Sequence, residues 1–351
     1  MTNDPNLPLD ASMLDGLPDP VFLVDLKHIV VDFNRAARQL LGADAIGYKI
    51  DELLDSSHIL GAIDTTLGGQ PGTRSEVFLP YPIARYYELN VWRLPDLKSP
   101  GPAWAMIVLH DVTAAQMAAQ MRADFVANVS HELRSPLSSL LGFIETLQGP
   151  ARDDQEATDR FLEIMETEAQ RMARLINDLL ALSKLETEEH IRPEEPIKLS
   201  PILTQIANIH MVRAEERGMN ITINQVDKNL SVLGDSDELT QVFQNLVSNA
   251  ISYGYPETEI SITVSEKPIL ASGAPGICVT VSNQGDGIPT EDLPRLTERF
   301  YRVDKGRSRS MGGTGLGLAI VKHIVARHRG QLDIESIPGK ETTFSICLPA
   351  S

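Results

Sequence analysis

The stretch FVANVSHELRSPL, residues 125–137, decides how this chain is read. Around it Val126, Val129, Leu133, Leu137, Leu140, Ile144 and Leu147 recur at three- and four-residue spacing, which predicts one apolar stripe along an amphipathic helix. His131, flanked by Ser130, Glu132 and Arg134, falls off that stripe, so core packing does not explain it. A neutral imidazole is a good phosphoryl acceptor, because one ring nitrogen attacks while the other donates a hydrogen bond that fixes the tautomer. Glu132 is the neighbouring group that can accept that bond and stabilise the charge developing on the ring. Pro136 removes an amide donor from the helix and predicts a bend.

Gly149-Pro150 breaks the pattern, and a second stripe follows through Leu162, Met165, Ala169, Met172, Ile176 and Leu179, ending near Leu185. Two long amphipathic helices joined by a short turn make a hairpin whose apolar stripe is too wide for one partner helix. Pairing with a second copy into a four-helix bundle buries it, so the expectation is a homodimer.

Upstream, from Asp15 to Thr113, the pattern is strand-rich: VFLVDL, HIVVDFN, SEVFLP, YYELNVWRL and WAMIVLHDV, divided by Gly, Pro and Asp. Asn34 is placed to cap the short helix NRAARQLLG. Two strands, short helices, three longer strands and a closing Asp111-Val-Thr113 resemble a PAS sensor domain. Such a domain serves as a ligand sensor or as a dimerisation spacer, and the sequence favours neither. Tyr86, Trp92 and Trp104 read as core residues rather than a cofactor cage.

Downstream of the charged segment ETEEHIRPEEP, helices and strands alternate to the end, giving a two-layer α/β domain of ordinary size. In QVFQNLVSNAISYG, Asn245 and Asn249 are four residues apart and share one helix face. Their carboxamide oxygens suit a hard cation such as Mg²⁺. A solvated polar face is the alternative, and the apolar Leu246, Val247 and Ala250 around them weigh against it. In NQGDGIP, Gly285 and Gly287 permit a tight turn and close backbone approach. In ERFYRVDKGRSRSMGGTGLGLAIV, the glycines open a helix whose amides and positive dipole end favour phosphate. The cations Lys305, Arg307 and Arg309 form a basic run just before them, either a solvated loop or a lid over the phosphates.

These motifs in this order resemble the HisKA class of sensor histidine kinases over roughly residues 114–349, and the last domain resembles the GHKL ATP-binding fold. The resemblance implies that His131 is the phosphoacceptor and Glu132 the acid/base, with Ser135 in the place of the residue that positions water for phosphatase activity. It implies ATP and Mg²⁺ as cofactors: Asn245 and Asn249 on the metal, Tyr253 and Asn283 near adenine, and Gly285, Gly287, Phe300, Lys305, Arg307, Gly313, Thr314, Gly315, Leu316 and Gly317 around the nucleotide. The partner it implies is the receiver domain of a response regulator. Two departures stand out. Asn283 replaces an Asp and loses charge assistance, and Ser252 replaces a Lys or Arg and removes a phosphate-contacting cation, which together imply weaker nucleotide binding. Within the class, the PAS domain before the hairpin and the stretch from Arg295 to Gly330 look most like phosphate-regulon sensor kinases.

The expected organisation is therefore multidomain α+β. It comprises a tail (1–14), a PAS domain of antiparallel sheet and short helices (15–113), a dimerising phosphotransfer hairpin (114–188), a linker (189–197) and a GHKL-type two-layer sandwich (198–351). Two rivals are an ATP-driven conformational switch without phosphotransfer and a pseudo-kinase scaffold. A net charge of -17 opposes nucleic-acid binding. No apolar run approaches the length needed to span a bilayer and the start lacks a signal-peptide pattern, so a cytoplasmic chain is expected. Cys278 and Cys347 read as two free core thiols.

Overall fold

The computed structural model describes residues 11–351 except 43, 55, 71, 81–82, 95–103, 226–229, 270–272, 274 and 305–312. Contacts divide the chain into two units, Met1–Ala127 and Asn128–Ser351.

In the first unit, short β-branched and aromatic runs form β1 (Val21–Val24), β2 (Val30–Phe33), β3 (Gly72–Leu79), β4 (Arg85–Leu94) and β5 (Trp104–Asp111). They make an antiparallel sheet in the order β2-β1-β5-β4-β3. α1 (Ala11–Leu14) precedes it, and α2 (Arg35–Leu41), α3 (Ile50–Leu53) and α4 (Ser57–Leu67) intervene between β2 and β3. Phe22, Leu89, Val91, Ile107 and Leu109 of the sheet bury together with Ile50, Ile59 and Ile63 of the helices. Asn34 caps α2 as its position in the sequence predicts, accepting from the Ala37 amide at 2.9 Å. Being wholly enclosed, it satisfies its other polar atoms too: Oδ1 accepts from Val21 N at 3.0 Å, and Nδ2 donates to the carbonyls of Leu14 and Asp19.

Tyr86 and Trp92 are not core residues. The period of two along β4 turns them to the face away from Leu89 and Val91, where each is 40% exposed. Tyr86 pairs there with Phe78 across the strands, ring centroids 4.9 Å apart, and Trp92 lies over Gly72. Trp104 on β5 is half-buried.

α5 (Thr113–Gln148) runs through the end of the first unit into the second, where α6 (Gln155–Glu188) turns back against it. Asp154 caps α6 through the Ala157 amide, and Phe143 stacks on Phe161 near the turn. Much of the two apolar stripes stays in solvent: Val126 is 63% exposed and Leu137 49%, with Ile144, Leu162 and Ile176 also exposed, and Leu180 beside the second stripe is 65% exposed. Leu175, Leu182 and Leu185 of α6 are buried.

Beyond α6, β6 (Glu195–Lys198) pairs with β8 (Ser231–Gly234). The main sheet of this unit has the order β11-β12-β10-β9-β7, built from β7 (Asn220–Gln225), β9 (Glu259–Pro268), β10 (Pro275–Gln284), β11 (Gln331–Ile337) and β12 (Glu341–Pro349). β7 and β9 are parallel; the other pairs are antiparallel. α7 (Leu199–Glu215), α8 (Ser236–Tyr253) and α9 (Gly317–Arg327) form the second layer, with Ile206, Phe243, Leu246, Ile262, Val279, Val281, Ile320 and Ile324 enclosed between. α9 also packs along α6.

The two cysteines are not free thiols. β10 and β12 place Cys278 directly opposite Cys347, Cα atoms 4.0 Å apart, and the sulfurs are bonded. The pair lies on the sheet face away from the helices, in a row with the hydroxyl pairs Thr280–Ser345 and Ser282–Thr343.

Candidate active site

α5 presents His131 to solvent and turns the adjacent Glu132 inward, because neighbours on a helix lie about 100° apart. The Glu132 carboxylate is 2.8 Å from Nη2 of Arg171 on α6 and 3.4 Å from Nη2 of Arg302. The same Arg302 nitrogen donates to the Gly313 carbonyl at 2.7 Å, which ties the acid beside His131 to the start of the glycine run. Glu132, Pro136, Arg171, Met172, Leu175 and Thr314 line a crevice too narrow for water between hairpin and glycine run. Ser135 is exposed one turn beyond His131, and its carbonyl accepts from Ser139 Oγ.

Further along the junction, Thr314 Oγ1 donates to Asp178 Oδ2 at 2.8 Å. Burial pushes the Asp178 carboxyl above its ordinary value, against the opposing effects of Thr314 and Arg174. Arg299 and Glu186 pair at 2.5 Å. Phe300 holds a left-handed backbone, φ +63°, and its amide donates to Gly315 O at 2.9 Å. A side-chain-bearing residue pays about 1 kcal/mol or more for that conformation. α9 begins at Leu316 without a side-chain cap, and Leu316 N donates to Thr314 Oγ1 at 3.3 Å.

α8 is set by Asp235, whose carboxylate accepts from the Asp237 and Glu238 amides. With Leu239, Val242, Phe243, Leu246, Val247 and Ala250 buried, helix periodicity places Asn245 and Asn249 together, half-buried, on another face. Asn245 Oδ1 is where α9 arrives: a Cβ on Gly317 would lie 2.9 Å from it, so a larger residue there would displace the Asn245 carboxamide. Tyr253, the last residue of α8, is exposed; Gly254 and Gly285 bridge as an isolated β pair. Asn283 near the end of β10 is 6% exposed, with Nδ2 donating to the Gln284 carbonyl at 3.3 Å. Gly285 N donates to Lys340 O, and Gly287 has φ +69°. Lys305, Arg307 and Arg309 lie outside the described residues. No group of three or more His, Cys, Asp or Glu among the described residues could hold a metal. The amide oxygens of Asn245 and Asn249 are neutral oxygen donors, which fit Mg²⁺, an ion that keeps waters and phosphate oxygens in its shell.

The structure thus joins Glu132 to Gly313 through Arg302, Asn245 to Gly317, Phe300 to Gly315 and Tyr253-Gly254 to Gly285. Sequence reasoning missed Arg171, Asp178 and Arg302. Arg302 stands inside a quoted motif, whereas Arg171 and Asp178 lie on the second helix of the hairpin with no local pattern to mark them.

Over 333 residues, 94% of this chain and 72% of the relative, the sequence is 36% identical to the phosphate regulon sensor protein PhoR of Pseudomonas aeruginosa. The chain belongs to the sensor histidine kinases. Three family models match this kinase: a PAS domain at residues 11–69, the His Kinase A (phospho-acceptor) domain at 121–188, and the histidine kinase-, DNA gyrase B- and HSP90-like ATPase at 234–351. The sensor protein kinase WalK of Staphylococcus aureus is 40% identical over 242 residues, 69% of this chain and 57% of WalK. Among solved structures, histidine kinase ThkA, crystallised with response regulator protein TrrA, matches 98% of this kinase and 99% of that chain, with TM-score 0.52 and 20% identity, a likeness of fold. The multidomain α+β architecture expected from the sequence is the one found, and the comparisons give the pseudo-kinase alternative no support. Among the described residues no helix is long and apolar enough to cross a membrane.

Proposed function

We propose that this kinase transfers the γ-phosphoryl group of ATP to His131 and then to an aspartate in the receiver domain of a response regulator. The observation that carries the reading is the Glu132–Arg302–Gly313 link, which sets the glycine run against the phosphoacceptor helix beside a solvent-facing imidazole. One ring nitrogen attacks the γ-phosphorus, the bond to the β–γ bridging oxygen breaks, and ADP leaves with that oxygen. The other ring nitrogen donates to Glu132, which stabilises the imidazolium formed. Asn245 and Asn249 would hold Mg²⁺, whose charge offsets that of the phosphates. Gly313, Thr314, Gly315, Leu316 and Gly317 cover the phosphates, Lys305 and Arg307 close over them, Asn283 accepts from the adenine amino group, and Tyr253, Gly285, Gly287 and Phe300 enclose the base and sugar. Ser135 positions water for dephosphorylation of the regulator.

Residues 15–113 serve as sensor, 114–188 as phosphotransfer hairpin, 189–197 as linker and 198–351 as catalytic domain. The exposed stripe residues Leu137, Ile144, Leu162 and Ile176 support a second copy as their cover, completing a four-helix bundle. Kinship with PhoR supports phosphate-starvation signalling. Incubation with γ-labelled ATP and Mg²⁺ tests the reading. Wild type acquires acid-labile, base-stable label, His131→Ala acquires none, and equal labelling of both proteins overturns the assignment.

A further inference from the structure

Position 252, just before Tyr253, carries a serine where the class carries a cation, yet the structure brings a cation to it. Arg213, in the last turn of α7, donates from Nη1 to Ser248 Oγ at 3.1 Å and from Nη2 to Ser252 Oγ at 2.9 Å. Ser248 and Ser252 are one turn apart, and each is three or four residues from Asn245 or Asn249, so all four side chains share the face of α8 turned away from the sheet. The guanidinium thus binds the same side of α8 that carries the two asparagines.

Its neighbour Arg217 differs in kind. Arg217 donates to the carbonyls of Ile251, Ser252 and Gly254 and caps the end of α8, a structural task that engages the guanidinium with backbone. Among the described residues Arg213 meets two neutral hydroxyls, which use two of its five N–H donors and none of its charge. An exposed guanidinium held by serines, on an acidic chain and on the side of α8 that carries the asparagine pair, matches what a polyphosphate requires: a charged planar fork with donors to spare.

We propose that Arg213 supplies from α7 the phosphate-contacting cation that position 252 lacks, donating its remaining N–H groups to the terminal phosphates of ATP while Ser248 and Ser252 hold its fork. The proposal rests on the ATP-binding reading of α8. The weaker nucleotide binding implied by Ser252 is then offset by a residue 39 positions earlier in the chain.

Calorimetric titration of the full chain with ATP, ADP and adenosine tests it, alongside thermal unfolding. Arg213→Ala should weaken ATP binding about tenfold or more, leave adenosine within twofold and fold with a normal melt. Arg213→Lys, which keeps charge without the fork, should lose less. Arg213→Ala with Ser252→Lys, which returns a cation to α8 itself, should recover most of the ATP affinity. ATP affinity unchanged in Arg213→Ala, an equal fall for adenosine, or no recovery in the double variant overturns the proposal and reduces Arg213 to a staple between α7 and α8. Wild type that binds no ATP sinks the nucleotide reading beneath it, a result separable from the others because no variant enters it.

Discussion

Gly287 and Gly339 are held at similar positive φ, +69° and +74°, in different surroundings. A Cβ on Gly339 would meet nothing within 4 Å, whereas one on Gly287 would lie 2.6 Å from the Ile337 carbonyl oxygen and 2.7 Å from the Pro338 Cα. Alanine at either position carries the left-handed backbone cost, about 1 kcal/mol. At 287 alone, backbone of the facing turn must also move, and overpacking of that kind adds about 2 kcal/mol. Gly339→Ala should therefore cost about 1 kcal/mol and Gly287→Ala about 3 kcal/mol. For a unit of this size that is roughly 3 °C against roughly 9 °C in melting temperature. The assay is differential scanning calorimetry of the full chain without nucleotide, following the transition of the Asn128–Ser351 unit, with ATP titration in parallel. The sequence motif explains Gly287 by close approach of a ligand; the structure makes it necessary before any ligand arrives. If Gly287→Ala melts within 2 °C of Gly339→Ala and yet loses ATP, the steric argument is wrong and the glycine serves the nucleotide alone.

Asn283→Asp should tighten ATP binding about fivefold, since a charge-assisted bond to the adenine amino group exceeds a neutral one by about 1 kcal/mol after desolvation of the buried carboxylate is counted; weaker binding would place the adenine elsewhere. Leu180→Glu, at a 65% exposed apolar position, should leave the monomer's melt within about 1 kcal/mol and shift light-scattering mass from dimer to monomer, and an unchanged dimer would remove this face from the interface. His328, wholly enclosed, accepts from Asp235 N at Nε2 and meets Ile324 O through Nδ1, so it is held as the neutral Nδ1–H tautomer. Burial, aided by the Arg327 and Arg192 charges, pulls its pKa below the ordinary value of 6.5, against the opposing effects of Ile324 O and Asp235. The unfolded chain then takes up the proton first, so the stability contributed by the neutral ring is complete above pH 6.5 and is lost as pH falls below it, by up to about 1.4 kcal/mol per pH unit. The slope should vanish in His328→Gln, and an equal acid-induced fall in that variant would assign the effect to other groups.

Where the sequence was legible, short-range physics decided the outcome. Runs of β-branched and aromatic residues divided by Gly, Pro and Asp became β1 to β5 and β9 to β12, Asn34 became a cap because its side chain reaches its own helix, and the three-four stripes became α5 and α6. The four-residue step from Asn245 to Asn249 fixed a shared face without knowledge of the fold. What failed to show was register and facing. Alternation along β4 yields two faces but does not say which one meets the helices, so Tyr86 and Trp92 read as core and emerged in solvent. Cys278 and Cys347 lie 69 residues apart, and only the β10–β12 register sets them opposite each other. Arg213, Arg171 and Arg302 were invisible for the same reason: each matters through a partner at least 35 residues away.

The contacts at the junction differ in how readily they exchange, and the proposed chemistry depends on that difference. Arg171 holds Glu132 at 2.8 Å from within the hairpin, so that pair moves as one piece. Arg302 stands farther, at 3.4 Å, and is better bonded to Gly313 O, so it follows the glycine run. Arg299–Glu186, His323–Glu189 and Arg327–Glu188 add partly exposed contacts worth on the order of 1 kcal/mol or less each, whereas Arg302–Glu132 and Thr314–Asp178 are more enclosed. A nucleotide bound at micromolar affinity has about 8 kcal/mol of binding free energy. A modest preference for one arrangement of the junction is therefore enough to exchange these contacts and bring the terminal phosphate to His131.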